Sequence, residues 1–190
     1  LIALATAAFA ACLAFALVGC GDSGNQQSAA PAGDDLVFVT GGESGTYYAF
    51  GTVLANYATN NTETSVSAVS GNGSQANIQA LQDGDASLAF CQSDVLSYAY
   101  AGTNLFEGAA YDGFSIVAAL YPETVQIVTT DPAIKTVADL KGKTVSIGAA
   151  GSGVYFNACD ILGAYGIDAE KDISPVLQDF ADSASSLKDG

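Results

Sequence analysis

Four short stretches of the sequence mix glycine with hydroxyl and amide side chains where an apolar, strand-like run gives way to a helical one. They are Gly41–Thr46, Ser70–Ser74, Gln92–Ser93 and Gly148–Gly153. Such turns suit one kind of chemistry. A helix start presents unpaired N–H groups and a partial positive charge, which favours a carboxylate or phosphate. Glycine lets a ligand approach the backbone, and Ser, Thr and Asn side chains add directed hydrogen bonds. In an open α/β sheet, ligands bind beyond the carboxyl ends of the strands. The turns therefore nominate Ser44, Gly45 and Thr46; Ser70, Asn72, Gly73 and Ser74; Gln92 and Ser93; and Gly151, Ser152 and Gly153. Ser44, Thr46, Ser74, Ser93 and Ser152 are also ordinary helix caps by type. The recurrence of the turn along one sheet edge, with no catalytic base in it, points to a binding cleft. Tyr47 and Tyr48 diverge by roughly 100° on a helix, so one packs inward; Tyr47 is assigned to the site.

Composition removes other classes. The chain carries 20 acidic residues against five Lys, with no Arg and no His, for a formal net charge of −15. Nucleic acid needs Lys and Arg for its phosphates and is excluded as a partner. Without His the commonest general base and metal ligand are missing, and no cysteine spacing suggests a metal. No catalytic residue, metal or cofactor is assigned. Gly148, Gly151 and Gly153 do not match the dinucleotide spacing, and no Gly-Lys-Ser/Thr follows to make a P-loop. With no Arg fork available, an acidic solute must be held here by backbone N–H groups, hydroxyls or Lys.

The first 19 residues carry no charge and end in Leu17-Val18-Gly19-Cys20. An apolar run closing on small residues marks export, and Cys after Leu-x-Gly resembles the bacterial lipobox, which implies a lipid on Cys20. An uncleaved anchor helix is the alternative, since ~20 apolar residues can span a bilayer. Residues 20–35 then lack large apolar side chains and read as a flexible tether. The absence of Met, position 1 included, leads us to expect a piece of a longer protein. Cys12 would leave with the signal, and Cys91 and Cys159 read as small buried apolar residues rather than a bridge.

The elements that position the turns follow from periodicity. Leu36–Val39 reads as a strand, and helical spacing begins at Thr46 with Tyr47, Phe50, Leu54 and Tyr57 on one face. Thr64–Ser70 reads as a strand, Gln75–Gln82 as a helix stopped by Gly84, Ser87–Cys91 as a buried strand and Ser93–Ala101 as a helix. Ser115–Tyr121 and Thr124–Thr129 are expected as strands divided by Pro122. Thr136–Asp139 predicts a capping box. Thr144–Ile147 is a strand, Val154–Ala164 a helix stopped by Gly166, Ile173–Gln178 a last strand and Ser183–Gly190 a closing helix. Alternation of this kind predicts an α/β fold with a largely parallel sheet.

The series of motifs resembles one family. Thr40-Gly41-Gly42-Glu43-Ser44-Gly45-Thr46-Tyr47-Tyr48, the Ser70–Ser74 turn leading to Asn77, and Gln92-Ser93-Asp94 are similar to the TAXI solute-binding proteins of TRAP (tripartite ATP-independent periplasmic) transporters. So are Leu120-Tyr121-Pro122-Glu123, Val137–Lys143, and Val145–Gly148 running through Gly151–Gly153. The resemblance covers about residues 36–190. It implies a two-lobe periplasmic-binding-protein-like fold, with a nearly complete first lobe at 36–122 and a truncated second lobe from 123 to 190. It adds Asn77 and Val154 to the site, the latter where many relatives carry Thr. It implies capture of a small organic acid or amino acid, glutamate-like or dicarboxylate. Delivery would be to TRAP membrane subunits, by an extracytoplasmic protein tethered to the membrane by its lipid. A lipoprotein sensor domain, or a periplasmic-binding-protein-like enzyme related to thiamine-pyrimidine synthases, are the alternatives.

Overall fold

The computed structural model describes residues 35–190. The expected export segment, Cys20 and all of the expected tether but Asp35 lie outside the described residues. Among the described residues no helix is long and apolar enough to cross a membrane.

Strand β1 (Asp35–Val39) is central in a three-stranded sheet of order β2-β1-β3, with β2 at Ser65–Val69 and β3 at Leu88–Ala89. Both pairings are parallel, in the registers Phe38↔Ala68 and Phe38↔Leu88. Parallel neighbours require crossovers, supplied by α1 (Thr46–Asn61) and α2 (Ser74–Asp83), after which α3 (Ser93–Ala101) leaves the end of β3. A second, two-stranded parallel sheet pairs β4 (Thr144–Ser146) with β5 (Ser174–Val176) across α4 (Gly153–Ala164), and α5 (Phe180–Asp189) follows. Pro175 is tolerated in β5 because that strand has a partner on one side only.

Three apolar clusters hold these layers. Helix α1 covers the first sheet through Ala55, Phe38 and Phe90, with Tyr47, Phe50, Leu54 and Val66 around them. It approaches closely because residue 51 is glycine: a Cβ there would lie 2.5 Å from the Thr40 methyl and 3.0 Å from the Phe90 ring. Ile78 of α2 and Val95 and Ala99 of α3 pack with Phe106 and with Phe156 of α4. Each large aliphatic or aromatic side chain buried this way contributes roughly 1.5–3 kcal/mol. Leu140, Ile147, Leu162, Ile167 and Ile173 form the third cluster, beneath the second sheet. Since Phe156 joins α4 to α2 and α3, the residues expected in the two lobes share a core.

The α/β architecture and most element starts agree with the sequence. Helix α3 coincides with its expected span, Gly84 ends α2 in the left-handed conformation at φ 78°, and α4 starts one residue early, at Gly153. Helix α5 begins at Phe180 rather than Ser183, because Asp179 caps it by accepting from Asp182 N. Two corrections concern strands. The pairing of the run expected at Ser87–Cys91 narrows to Leu88–Ala89, flanked by Ser87 N donating to Val37 O and Phe90 N to Val39 O. The strands expected at Ser115–Tyr121 and Thr124–Thr129 do not form, and no strand lies between β3 and β4. Their side chains are open to solvent, Val117 at 85% and Val128 at 71%. Strand-forming residues express a fit to a half-buried pleated surface, and no described strand runs beside these segments to supply one.

Candidate functional site

The carboxyl ends of the strands in the first sheet are fastened from behind. Thr40, directly after β1, is fully buried; its hydroxyl donates to Val69 O at 2.7 Å, tying the ends of β1 and β2 together. Asn77 on α2, also fully buried, donates through Nδ2 to Phe90 O at 2.7 Å and to Thr40 O, tying β1 to β3. Gly71 N donates to Gly41 O at 3.1 Å, so the first two turns run side by side. Asn77 thus lies behind the turns. Its Oδ1 is buried without a partner and faces Gly71, where a Cβ would stand 2.7 Å away.

In front of these turns lies a cleft of about 530 Å³ lined by Gly42, Glu43, Ser44, Ser70, Gly71, Asn72, Asp179 and Ala181. Of the residues nominated from sequence, Ser44, Ser70 and Asn72 line it. Gly45, the N-cap of α1, follows the lining residue Ser44 in sequence, and a Cβ on it would lie 3.5 Å from the Phe180 ring. As a glycine, Gly45 gives α1 no side-chain cap, and the first turn of the helix holds no acidic residue. The N–H groups of Thr46 and its neighbours are left for water or a ligand. Gly42, Glu43 and Gly71 lie within the nominated turns but were not themselves nominated, and sequence reasoning missed Asp179 and Ala181 altogether. Asp179 carried a signal in its position before a helical run, the ordinary place of an N-cap.

The other nominated residues gather on a second surface, where the start of α4 meets α2 and α3. Gln75 N donates to Gly151 O at 2.9 Å. Gly73, at φ 105°, faces Ser152, whose Cα would be 3.0 Å from a Cβ there. Gly153 packs against the Gln92 carboxamide, leaving no room for a side chain. Gln92 Nε2 donates to Asn157 Oδ1 at 2.7 Å, and Asn157 Nδ2 donates to Asp94 Oδ2 at 2.7 Å. Ser74 is 1% exposed, and its hydroxyl accepts from Gln92 N at 3.0 Å. Ser152 caps α4 by accepting from Tyr155 N at 3.2 Å. Ser93 opens α3, and Val154 is partly exposed on the first turn of α4. The turns at 70–74, 92–93 and 151–153 are therefore brought together, largely bonded to one another.

Tyr47, on the first turn of α1, is not among the residues lining the cleft. Its ring packs on Phe90 at 4.9 Å and its hydroxyl donates to Glu123 Oε2 at 3.3 Å. Burial first, then the Glu123 charge, pushes the phenol well above its ordinary range, so it is a neutral donor. Burial pushes the Cys91 thiol up to about 12, keeping it protonated and a poor nucleophile. Cys91 and Cys159 are free thiols, as expected, but half-buried rather than buried. Burial, and to a lesser extent Asp94, raise the Glu123 carboxyl, while the Tyr47 hydroxyl lowers it. No Lys lines the cleft. What the cleft offers is hydrogen bonding from hydroxyls, amides and open backbone N–H groups, next to the two carboxylates of Glu43 and Asp179.

Residues 38–190 match the model of the NMT1-like family. Among solved structures, the alkanesulfonate-binding protein SsuA from Xanthomonas axonopodis pv. citri, bound to MOPS, is similar at 20% identity and a TM-score of 0.51. The match covers 86% of this chain and 53% of that one. The periplasmic aliphatic sulphonate binding protein SsuA from Escherichia coli is similar at 23% identity and a TM-score of 0.46, covering 83% of this chain and 51% of that one. The chain thus spans about half the length of these solved relatives. The first likeness shows the fold: α/β, of the periplasmic-binding-protein kind.

Proposed function

Because the chain belongs to the NMT1-like family, we propose that it is the solute-capturing part of an extracytoplasmic binding protein. The observation that carries this reading is the cleft at the carboxyl ends of β1 and β2, lined by Ser44, Ser70 and Asn72 beside the uncapped start of α1. That is where open parallel sheets place ligands, and the fold it shares with a sulfonate-binding protein supports the same use. Residues 36–122 and 123–190 belong to the first and second lobes, which close on the solute. The solute is a small organic acid, an amino acid or a related anion. Its acidic group sits on the N–H groups of the first turn of α1 with hydroxyl help, since no Arg exists in the chain. Through its TAXI-like motifs the protein serves TRAP membrane subunits, and Cys20 holds it at the membrane by its lipid.

The lining supports binding rather than catalysis: its carboxylates face no His or activated thiol, and Cys91 stays protonated. The test is a calorimetric titration of the full chain with amino acids, dicarboxylates and aliphatic sulfonates. Saturable one-to-one binding of a member of this panel is expected, and absence of heat across the whole panel with folded protein would contradict the reading.

A further inference from the structure

We infer that Glu43 and Asp179 form a wall of the cleft that accepts an ammonium group of the solute. The site then takes amino-bearing anions and discriminates against their desamino counterparts, dicarboxylates included. This assignment rests on the solute-binding reading above.

Two helix starts meet at this cleft, and they differ in character. Ser44 lines it directly before Gly45, which caps α1 without a side chain, and the first turn of α1 holds no acidic residue. At α5 the cap is Asp179, and Asp182 adds a second carboxylate in the first turn. Asp179 and Ala181 line the cleft, and Phe180 between them is the neighbour of Gly45, where a Cβ would lie 3.5 Å from the ring. A donor end and an acceptor end thus lie side by side, the first built from open N–H groups and the second from carboxylate. Glu43, on the turn before α1, adds its own carboxylate to the lining.

The Asp179 carboxylate is held in place with acceptor capacity to spare. Its Oδ1 accepts from Asp182 N at 2.9 Å, and its backbone carbonyl accepts from Ser183 N at 2.9 Å and from Ser183 Oγ. A carboxylate offers about four acceptor sites, and among the described residues nothing donates to Asp179 Oδ2 or to the Glu43 carboxylate. No ion pair among the described residues includes either one. Lys141, Lys143 and Lys171 pair with Asp172, Asp131 and Asp168, and Lys188 lies in the last turn of α5, at the other end of the helix from Asp179. Two of the eight lining residues are acidic and none is basic. An ammonium there makes charge-assisted hydrogen bonds, while a further carboxylate meets like charge. An amino-bearing acid sets its anionic group on the start of α1 and its ammonium on Asp179 and Glu43. A desamino solute leaves both carboxylates unpaired.

The experiment titrates the full chain in EDTA, as wild type and as the double variant Glu43→Gln, Asp179→Asn. Three matched pairs are used: glutamate and glutarate, aspartate and succinate, taurine and ethanesulfonate. Asn caps helices about as well as Asp, and Glu43 is exposed, so the variant is expected to unfold near the wild-type temperature. In wild type the amino member of the bound pair is expected to bind at least tenfold more tightly. In the double variant that ratio is expected to fall tenfold or more, through the amino member. An unchanged ratio in the variant, or equal affinities in wild type, would overturn the assignment and leave the cleft standing. So would desamino acids that bind wild type tightly only once calcium replaces EDTA, since the two carboxylates would then hold a metal ion. Binding of none of the six solutes, with calcium or without, would overturn the solute-binding reading, and the assignment with it.

Discussion

The Gln92 carboxamide lies across Gly153 and occupies the space a side chain at that position would need. Its Nε2 continues to Asn157 and, through it, to Asp94. The start of α4 is therefore seated on α3 by fit as well as by the Phe156 contact. Gly153→Ala must displace Gln92 and break that chain of hydrogen bonds. Overpacking of this kind costs about 1–3 kcal/mol. Urea unfolding should show a lowered midpoint with little change in slope; a wild-type midpoint would mean that Gln92 has another rotamer of equal energy.

Asn77 makes a sharper case. Its Nδ2 serves the carbonyls of Thr40 and Phe90 in a site without water access. Asn77→Ala strands buried acceptors, at a cost on the order of 1–3 kcal/mol for each left unsatisfied. Asn77→Asp removes the donors and also aims a charge at the carbonyls, so it should destabilise more than Ala does. Thermal unfolding orders the variants; Asp milder than Ala would contradict the placement of the amide.

What was legible in the sequence was local. The Gly-Gly-Glu-Ser-Gly-Thr run before Tyr47, Gly84 after Asp83 and the Thr136–Asp139 spacing each act within a few residues, and the turns, the left-handed cap and the Asp139 contacts follow from them. What was not legible depended on partners distant in sequence. Ser115–Thr129 has strand-forming side chains but no neighbour to pair with, and Asp179 joins Glu43 in the cleft from 136 residues along the numbering only through the packing of α5 near Gly45. Asn77 is a site residue only by the family resemblance of the Ser70–Asn77 turn. Only the positions of the Thr40 and Phe90 carbonyls show which way the amide is turned.

The carboxylate of Asp139 accepts from Lys135 N at 3.0 Å and from Thr136 N at 2.8 Å and Thr136 Oγ1 at 2.9 Å. These bonds, the one from Lys135 first, hold its pKa below the ordinary Asp value. A depressed folded pKa means stability that is present above the unfolded value of about 3.9 and lost as pH falls through the folded one. Wild type should therefore lead Asp139→Asn in stability at neutral pH, and the gap should shrink below about pH 4. A gap that is constant with pH would show that the ionised form does not matter.

Membrane attachment is tested outside the described residues. If Cys20 carries the lipid, Cys20→Ala in the full gene should release the protein from membranes into the soluble extracytoplasmic fraction. Membrane retention equal to wild type would favour an uncleaved anchor helix over residues 1–19.

The most direct test of the solute cleft uses Gly42, which lines it and has nothing within 4 Å of where its Cβ would stand. Gly42→Phe can therefore fill the cleft without disturbing the fold around it. Calorimetry with the tightest-binding solute of the panel, on wild type and Gly42→Phe matched for thermal stability, should show affinity reduced at least tenfold, about 1.4 kcal/mol. Equal affinity in the two proteins would contradict binding at the carboxyl ends of β1 and β2.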